Sequence, residues 1–132
     1  METTAADALL RMSDHIDAQD WTALAALLAP GFRARYLHTG EEFDGEAFVA
    51  LNRDYPGSWR FQHELVVDGG ATAVLRARVT DATGVSDETH FVASFATVDG
   101  AGLLLTLDEL WAEVVEAPDG ERRPETAVGG RS

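Results

Sequence analysis

The chain has 132 residues, 45% of them hydrophobic, and it contains no cysteine. That length fits one domain that can bury a core without disulfide bonds, and the lack of cysteine excludes thiolate nucleophiles and cysteine-bound metals. The formal net charge is −13, from 23 acidic and 10 basic residues. Because nucleic acids and anionic membrane surfaces repel such a chain, we expect it to bind neither.

No targeting or membrane segment is visible in the sequence. The N-terminal residues Met1–Ala8 are acidic and alanine-rich, and the longest strongly apolar run, Leu103–Leu107, is too short to span a bilayer. With the absence of cysteine, these features predict a cytoplasmic protein.

The first third of the chain has the periodicity of helices. A first helix collects apolar or small residues on one stripe: Ala6, Leu9, Ser13 and Ile16. Asp20 is a suitable N-cap for a second, short helix, which Pro30-Gly31 is expected to end. Asp44 is a suitable N-cap for a third helix.

The period changes to two in a first strand at residues 32–38 and again after the third helix. Four further strands are predicted, joined by tight turns at 68–70, 82–84 and 99–102: Trp59–Val67, Ala73–Thr80, Glu88–Val98 and Leu103–Val115. A helical block followed by such strands predicts an α+β fold. Beyond Ala117 the apolar periodicity stops, so we predict one domain at 1–116 and a flexible C-terminal tail at 117–132.

The last strand contains the strongest candidates for chemistry. Glu109, Trp111 and Glu113 follow one another at a spacing of two and therefore share one face, in register with three leucines: Leu103, Leu105 and Leu107. If this face lines a pocket, desolvation raises the carboxyl pKa values toward the range useful for acid–base catalysis. The alternative is a face that meets solvent.

Other candidates lie on the preceding strands. Tyr36 and His38 share one face of the first strand, and both can donate a hydrogen bond to a substrate. His63 lies in an apolar register that suits either a core or a pocket wall, and His90 is either pocket-facing or exposed. Arg78 fits an outer sheet surface, or the binding of a carboxylate if it faces inward.

Several kinds of site find no support in the sequence. No two histidines have metal-binding helical spacing, no nucleophile elbow occurs, and Gly100-Ala101-Gly102 lies between strands rather than ahead of a helix. We therefore predict no metal and no cofactor.

The order of elements resembles that of a known superfamily. A helix, a short helix, a strand, the helix entry Phe43-Asp44-Gly45 and a four-strand meander closing on Glu109-Leu110-Trp111-Ala112-Glu113 are similar to nuclear-transport-factor-2-like proteins, in particular bacterial SnoaL-like members. The resemblance covers residues 4–116. It implies N-terminal helices packed on a strongly curved antiparallel β-sheet, a cone-shaped α+β barrel, with a pocket between sheet and helices.

Two catalytic patterns of that superfamily are incomplete here. Where steroid-isomerase-like members have a proton-abstracting aspartate, this chain has Tyr36. Epoxide-hydrolase-like members have Arg-x-Asp on a middle strand and Trp-x-Asp on the last. Trp111-Ala112-Glu113 is similar to the second pattern, whereas Arg78-Val79-Thr80 keeps only the arginine of the first.

These observations favour a cofactor-independent acid/base enzyme (cyclase, isomerase, dehydratase or epoxide-opening hydrolase) that acts on a small hydrophobic molecule. The alternative is a non-catalytic ligand-binding or dimerisation module of the same fold. The candidate catalytic residues are Glu113, Glu109, His63 and Tyr36. The candidate substrate-binding residues are Trp111, His38, Trp59, Phe61, His90 and Arg78.

We also expect a homodimer that forms through the outer face of the sheet. The resemblance implies such a dimer. The mixed register of arginine and small residues on one strand is compatible with it: Thr72, Arg76, Arg78 and Thr80.

Overall fold

A computed structural model describes residues 3–117 of the chain, in which three helices and six strands occur in the order α1, α2, β1, β2, α3, β3, β4, β5, β6. The helices are α1 (Ala5–Ala18), α2 (Trp21–Ala26) and α3 (Gly45–Asp54). The strands are β1 (Leu28–Tyr36), β2 (Glu41–Asp44), β3 (Trp59–Asp68), β4 (Thr72–Asp81), β5 (Thr89–Val98) and β6 (Leu104–Glu113). The predicted tail at 117–132 lies, from residue 118 onward, outside the described residues.

The six strands form one open sheet in the order β2-β1-β6-β5-β4-β3. Strands β3 to β6 form the predicted antiparallel meander, and β1 also pairs with β2 in antiparallel fashion. The α+β prediction is thus confirmed. The sheet is mixed, however, because β1 pairs with β6 in parallel. These two strands come from opposite ends of the domain, so no tight turn dictates their relative direction.

Side-chain caps fix where the helices begin. Asp20 accepts a hydrogen bond from the backbone of Ala23 at 3.1 Å, and Asp44 accepts one from Ala47 at 2.8 Å, as predicted. The second helix ends earlier than expected, at Ala26, and Pro30-Gly31 lies within β1 at a register irregularity. Proline is tolerated in a strand at such a place, because its missing N–H would not be used in the ladder. No helix within residues 3–117 is long and apolar enough to cross a membrane.

All three helices pack on one face of the sheet, which we call the inner face. Helix α1 buries alanines that allow close approach and larger residues that fill the space above the strands: Ala5, Ala8, Leu9 and Met12. The sheet supplies the other half of the core: Leu75, Ala77, Val92, Leu104 and Leu107. On the opposite, outer face, alternate residues are exposed or half-exposed.

Two bulges change the predicted alternation. The β3–β4 register shifts between His63 and Leu65, so Leu65 is exposed and Val66 packs against the core instead. The β5–β6 register shifts between Thr97 and Val98, and Leu104 is fully buried while its neighbours Leu103 and Leu105 are only half-buried. A bulge inserts one residue into one strand, and because side chains alternate, everything beyond it changes face.

Candidate active site

The inner face holds a pocket of 490 Å³ at the end of the sheet that helix α1 does not cover. The sheet contributes Tyr36, Phe61 and Trp111 to its wall, and the last turns of α3 contribute Leu51 and Asn52. This size is sufficient for a small organic molecule. The predicted pocket between sheet and helices is therefore present.

Aromatic rings form a continuous surface along the pocket, with neighbouring ring centroids 5.0 to 6.5 Å apart. We call this surface the aromatic wall; its members, in order, are Phe43, Tyr36, Trp111, His90, Trp59 and Tyr55. The rings meet edge-on or tilted, which is the arrangement that aromatic pairs favour. Such mutual packing limits side-chain motion and keeps ring surface directed at the pocket.

The turn before β3 positions one ring of this wall. The Trp59 indole Nε1 donates a 2.8 Å hydrogen bond to the carbonyl oxygen of Pro56. Gly57, between them, has a φ of +95°, and a Cβ atom there would lie 2.9 Å from the indole nitrogen. Glycine is therefore required at this position both for its backbone conformation and for the close approach of the ring.

A buried carboxyl group lies beneath the aromatic wall. Glu109 is 3% exposed, and its Oε2 accepts a hydrogen bond from the Ser94 hydroxyl at 2.5 Å. Its Oε1 accepts one from the Trp111 indole Nε1 at 3.3 Å. Burial raises the pKa of Glu109 to about 7, against the two hydrogen bonds, which favour the charged form. Both protonation states are therefore accessible near neutral pH.

Tyr36 is the wall residue next to this carboxyl group, since it lies opposite Glu109 in the β1–β6 ladder. Burial raises the pKa of the Tyr36 hydroxyl well above its ordinary value, and the negative charges of Glu109 and Glu41 raise it further. The hydroxyl therefore stays protonated and is available as a hydrogen-bond donor.

Most of the residues singled out from the sequence lie at this pocket: Tyr36, His38, Trp59, Phe61, His90, Trp111 and Glu113. Glu113 is exposed and lies opposite His90 in the β5–β6 ladder. Glu109 lies beneath the pocket wall rather than on it. The shared face of Glu109, Trp111 and Glu113 is the inner face, as their spacing predicted.

Two predicted site residues lie elsewhere. His63 is beside α1, with its Nδ1 3.5 Å from the Ser13 hydroxyl and 4.0 Å from an Asp14 carboxylate oxygen. The His63 side chain is 43% exposed beside the helix, so it lies neither in the core nor in the pocket wall that its apolar register predicted. Arg78 is on the outer face, 3.3 Å from Glu64 and stacked over the Phe91 ring. Arg78 is the neighbour of the buried Ala77 on β4, and successive side chains of a strand point to opposite faces. Arg78 therefore cannot line the pocket.

Several residues of the site were not predicted from the sequence: Glu41, Phe43, Arg53, Tyr55 and Ser94. Ser94 could have been predicted from the sequence. Counting back along both strands from the turn at 99–102 pairs Ser94 with Glu109, once the bulge is taken into account. The others lie on β2 and at the end of α3, and no local pattern in the sequence places these elements over β1 and β6. Within residues 3–117, no group of three or more histidine, aspartate and glutamate side chains could hold a metal ion.

The first prediction concerns the pH dependence of stability. Because the pKa of Glu109 rises from 4.5 to about 7 on folding, the folded protein binds more protons across this interval, and stability falls as pH rises through it. Glu109→Gln removes this titration. Between about pH 5 and about pH 8 we expect this variant to gain on the order of 2–3 kcal/mol relative to the parent, measured by urea unfolding.

Glu113→Gln is the matched control, since this residue is exposed on the same strand. Its stability relative to the parent should stay constant over the same pH interval. If the stability difference between Glu109→Gln and the parent is also independent of pH, the Glu109 carboxyl group is charged in the folded protein over the whole interval.

The second prediction concerns the turn at Gly57. Gly57→Ala destabilises the fold by about 1–2 kcal/mol, because alanine is strained at a positive φ, and its Cβ also displaces the Trp59 indole. Gly84→Ala introduces only the backbone strain, because Gly84 has a φ of +76° and open space around it. We expect Gly57→Ala to be the less stable variant and to change the near-UV circular dichroism of tryptophan. Equal losses and unchanged spectra for both variants would contradict this account.

No family model matches the sequence, and no curated protein matches it. Several solved structures are similar to this chain. A provisionally named ketosteroid isomerase from Kribbella flavida DSM 17836 is 24% identical, with a TM-score of 0.77 over 96% of this chain and 95% of that one. An NTF-2-like protein of unknown function from Burkholderia xenovorans LB400 is 17% identical, with a TM-score of 0.72 over 85% of each chain. An LEH-like epoxide hydrolase from M. tuberculosis is 14% identical, with a TM-score of 0.68 over 82% of each. The chain therefore has the fold of the nuclear-transport-factor-2-like superfamily, as the resemblance predicted.

Proposed function

We propose that this protein is a cofactor-independent acid/base enzyme that acts on a small hydrophobic molecule. The observation that supports this most is the buried Glu109 carboxyl, whose pKa is about 7, beneath an aromatic pocket of 490 Å³. A general acid or base is most effective when its pKa is near the working pH. Burying a carboxyl group whose hydrogen bonds come only from the neutral Ser94 and Trp111 disfavours its charged form, and such perturbed groups are common at catalytic sites.

In this proposal Glu109 exchanges the proton and Tyr36 donates a hydrogen bond to the oxygen on which negative charge develops. The bond from the Trp111 indole to Glu109 is long at 3.3 Å, and the indole is only half-buried. A bound molecule can therefore displace it and reach the carboxyl oxygen. Glu113, on the pocket wall, is the alternative base.

The pocket favours some reactions of the fold over others. Among the similar structures are a provisionally named ketosteroid isomerase and an LEH-like epoxide hydrolase. Arg78 is the only residue of the Arg-x-Asp pattern of epoxide hydrolases that this chain keeps. It lies on the outer face, away from the pocket. Proton abstraction next to a carbonyl, as in isomerisation, cyclisation or dehydration, therefore fits the site better than epoxide opening.

Proton exchange on a model ketone tests this proposal. The α-protons of the bicyclic ketone 2-tetralone are acidic enough to exchange in D2O, and NMR follows the loss of their signal. We expect the protein to accelerate this exchange. Glu109→Gln should reduce the acceleration by about 10²–10³-fold, and Tyr36→Phe by about 10–10²-fold, since each removes one proton-transfer or donor contact.

Glu113→Gln is the control and should change the rate by less than about threefold. If Glu113→Gln abolishes exchange while Glu109→Gln does not, the base is Glu113 and the role of Glu109 is wrong. Exchange no faster than in buffer, with 2-tetralone bound, would favour a non-catalytic binding module.

The outer face supports a second, compatible proposal, assembly into a homodimer. Phe95 and Leu110 are 41% and 43% exposed there, beside the half-exposed Phe91, and no helix of the described residues covers them. Exposed apolar groups that cluster on one face commonly mark an interface. Arg78, stacked on Phe91, would lie at the edge of this surface.

Light scattering measures the assembly directly. We expect a mass close to twice the 14.2 kDa of one chain at micromolar concentration. Phe95→Glu should yield monomers, because a charge in an apolar interface is costly. Val85→Glu places the same charge on a loop residue that is 90% exposed and should leave the mass unchanged. A monomeric parent protein would contradict the proposal.

A further inference from the structure

The charges at the pocket are unbalanced. Two carboxylate residues, Glu41 and Glu113, line it, and Glu109 lies beneath its wall. Arg53 is the only lysine or arginine among the described residues that line it. Its guanidinium is already engaged by Asp54 through two 2.9 Å hydrogen bonds, so its charge is largely compensated. The pocket therefore presents net negative charge to whatever enters it.

The aromatic wall adds a second feature of the same sign. The face of an aromatic ring is the negative part of its quadrupole and attracts cations within about 6 Å of its centre. Four of the wall's rings are of the electron-rich types, and tryptophan is the best of them: Tyr36, Tyr55, Trp59 and Trp111.

The raised pKa of the Tyr36 hydroxyl has part of its cause in the same carboxylates. After burial, the carboxylates of Glu109 and Glu41 are the next largest causes of the raised pKa of its hydroxyl. Negative charge that opposes a phenolate in the middle of the wall also opposes any anionic ligand placed there, and it attracts a cation.

We propose that the pocket selects an organic cation: a hydrophobic molecule that bears an ammonium group, held against the aromatic wall and neutralised by Glu41 and Glu113. Aromatic rings combined with carboxylates are the chemistry that recognises alkylammonium groups. This inference rests on the proposed small-molecule function and specifies the substrate class. With Glu109 as the residue that transfers the proton, Glu41 and Glu113 are left to neutralise the ligand.

Three probes with one hydrophobic body and different charges test the inference. They are 2-phenylethylamine, which is a cation at neutral pH, the neutral 2-phenylethanol, and the anion 3-phenylpropanoate. Calorimetric titration at low ionic strength should give about tenfold tighter binding of the amine than of the alcohol, and the weakest binding for the anion. Alcohol binding equal to that of the amine, or tighter binding of the anion, would overturn the cation selectivity but leave the pocket proposal intact.

Two double variants separate local charge from the overall charge of the protein. Glu41→Gln with Glu113→Gln should reduce the amine preference to less than about threefold and leave the alcohol affinity unchanged. Glu42→Gln with Glu116→Gln makes the same change in net charge at two exposed residues that are not on the pocket wall. It should keep the preference; loss of preference in this control would attribute the effect to net charge and refute the site.

A different result would bear on the proposed function instead. If none of the three probes binds at millimolar concentration while the parent protein unfolds cooperatively, the cavity is not a small-molecule site, and both proposals fail together. Binding of the neutral alcohol alone contradicts only the cation inference.

Discussion

The position of helix α1 on the sheet determines the other main features of this molecule. Alanines at its contact face let it approach the strands closely, and Leu9 and Met12 complete the core beneath it. At its C-terminal end Asp17 accepts hydrogen bonds from the Arg60 guanidinium and from the backbone N–H of Phe61, both at 2.9 Å. These bonds fix the point at which the helix leaves the sheet. Beyond that point α1 no longer covers the inner face, and the aromatic wall begins between the sheet and α3.

The same arrangement explains why one face of one strand supports two different environments. On β6, Leu107 is covered by the core, Glu109 lies at the boundary, and Trp111 and Glu113 extend into the open end. Glu109 is buried beside the core and therefore desolvated, which raises its pKa. It also accepts a hydrogen bond from Trp111, which lines the pocket.

Local sequence patterns were sufficient to predict most of the fold and part of the site. The caps at Asp20 and Asp44, the hairpin turns and the shared face of Glu109 and Trp111 follow from short-range rules of spacing. Alternation failed where a bulge intervened, as beyond His63, where Leu65 is exposed, because a bulge depends on the partner strand as well as on the strand itself.

The parallel pairing of β1 with β6, and the short strand β2, were also beyond local patterns. The pairing of β1 with β6 depends on long-range packing that brings Tyr36 beside Glu109, whereas β2 pairs with β1 across the turn at 37–40 and places Phe43 beside Tyr36. The pocket is assembled by these contacts. Site residues on the meander were therefore predictable, whereas Glu41, Phe43 and Tyr55 were not.

The two proposals are thermodynamically linked through Glu109. In the empty pocket burial favours the neutral acid. A cation held against the adjacent wall favours the charged carboxylate, because opposite charge lowers the pKa of a carboxyl group. By reciprocity, the ionised carboxylate then binds the cation more tightly, so binding of the cation and release of the proton promote one another. In the proposed enzyme a bound cation would therefore increase the fraction of Glu109 that is deprotonated and able to accept a proton, whereas more of it stays protonated in the empty pocket.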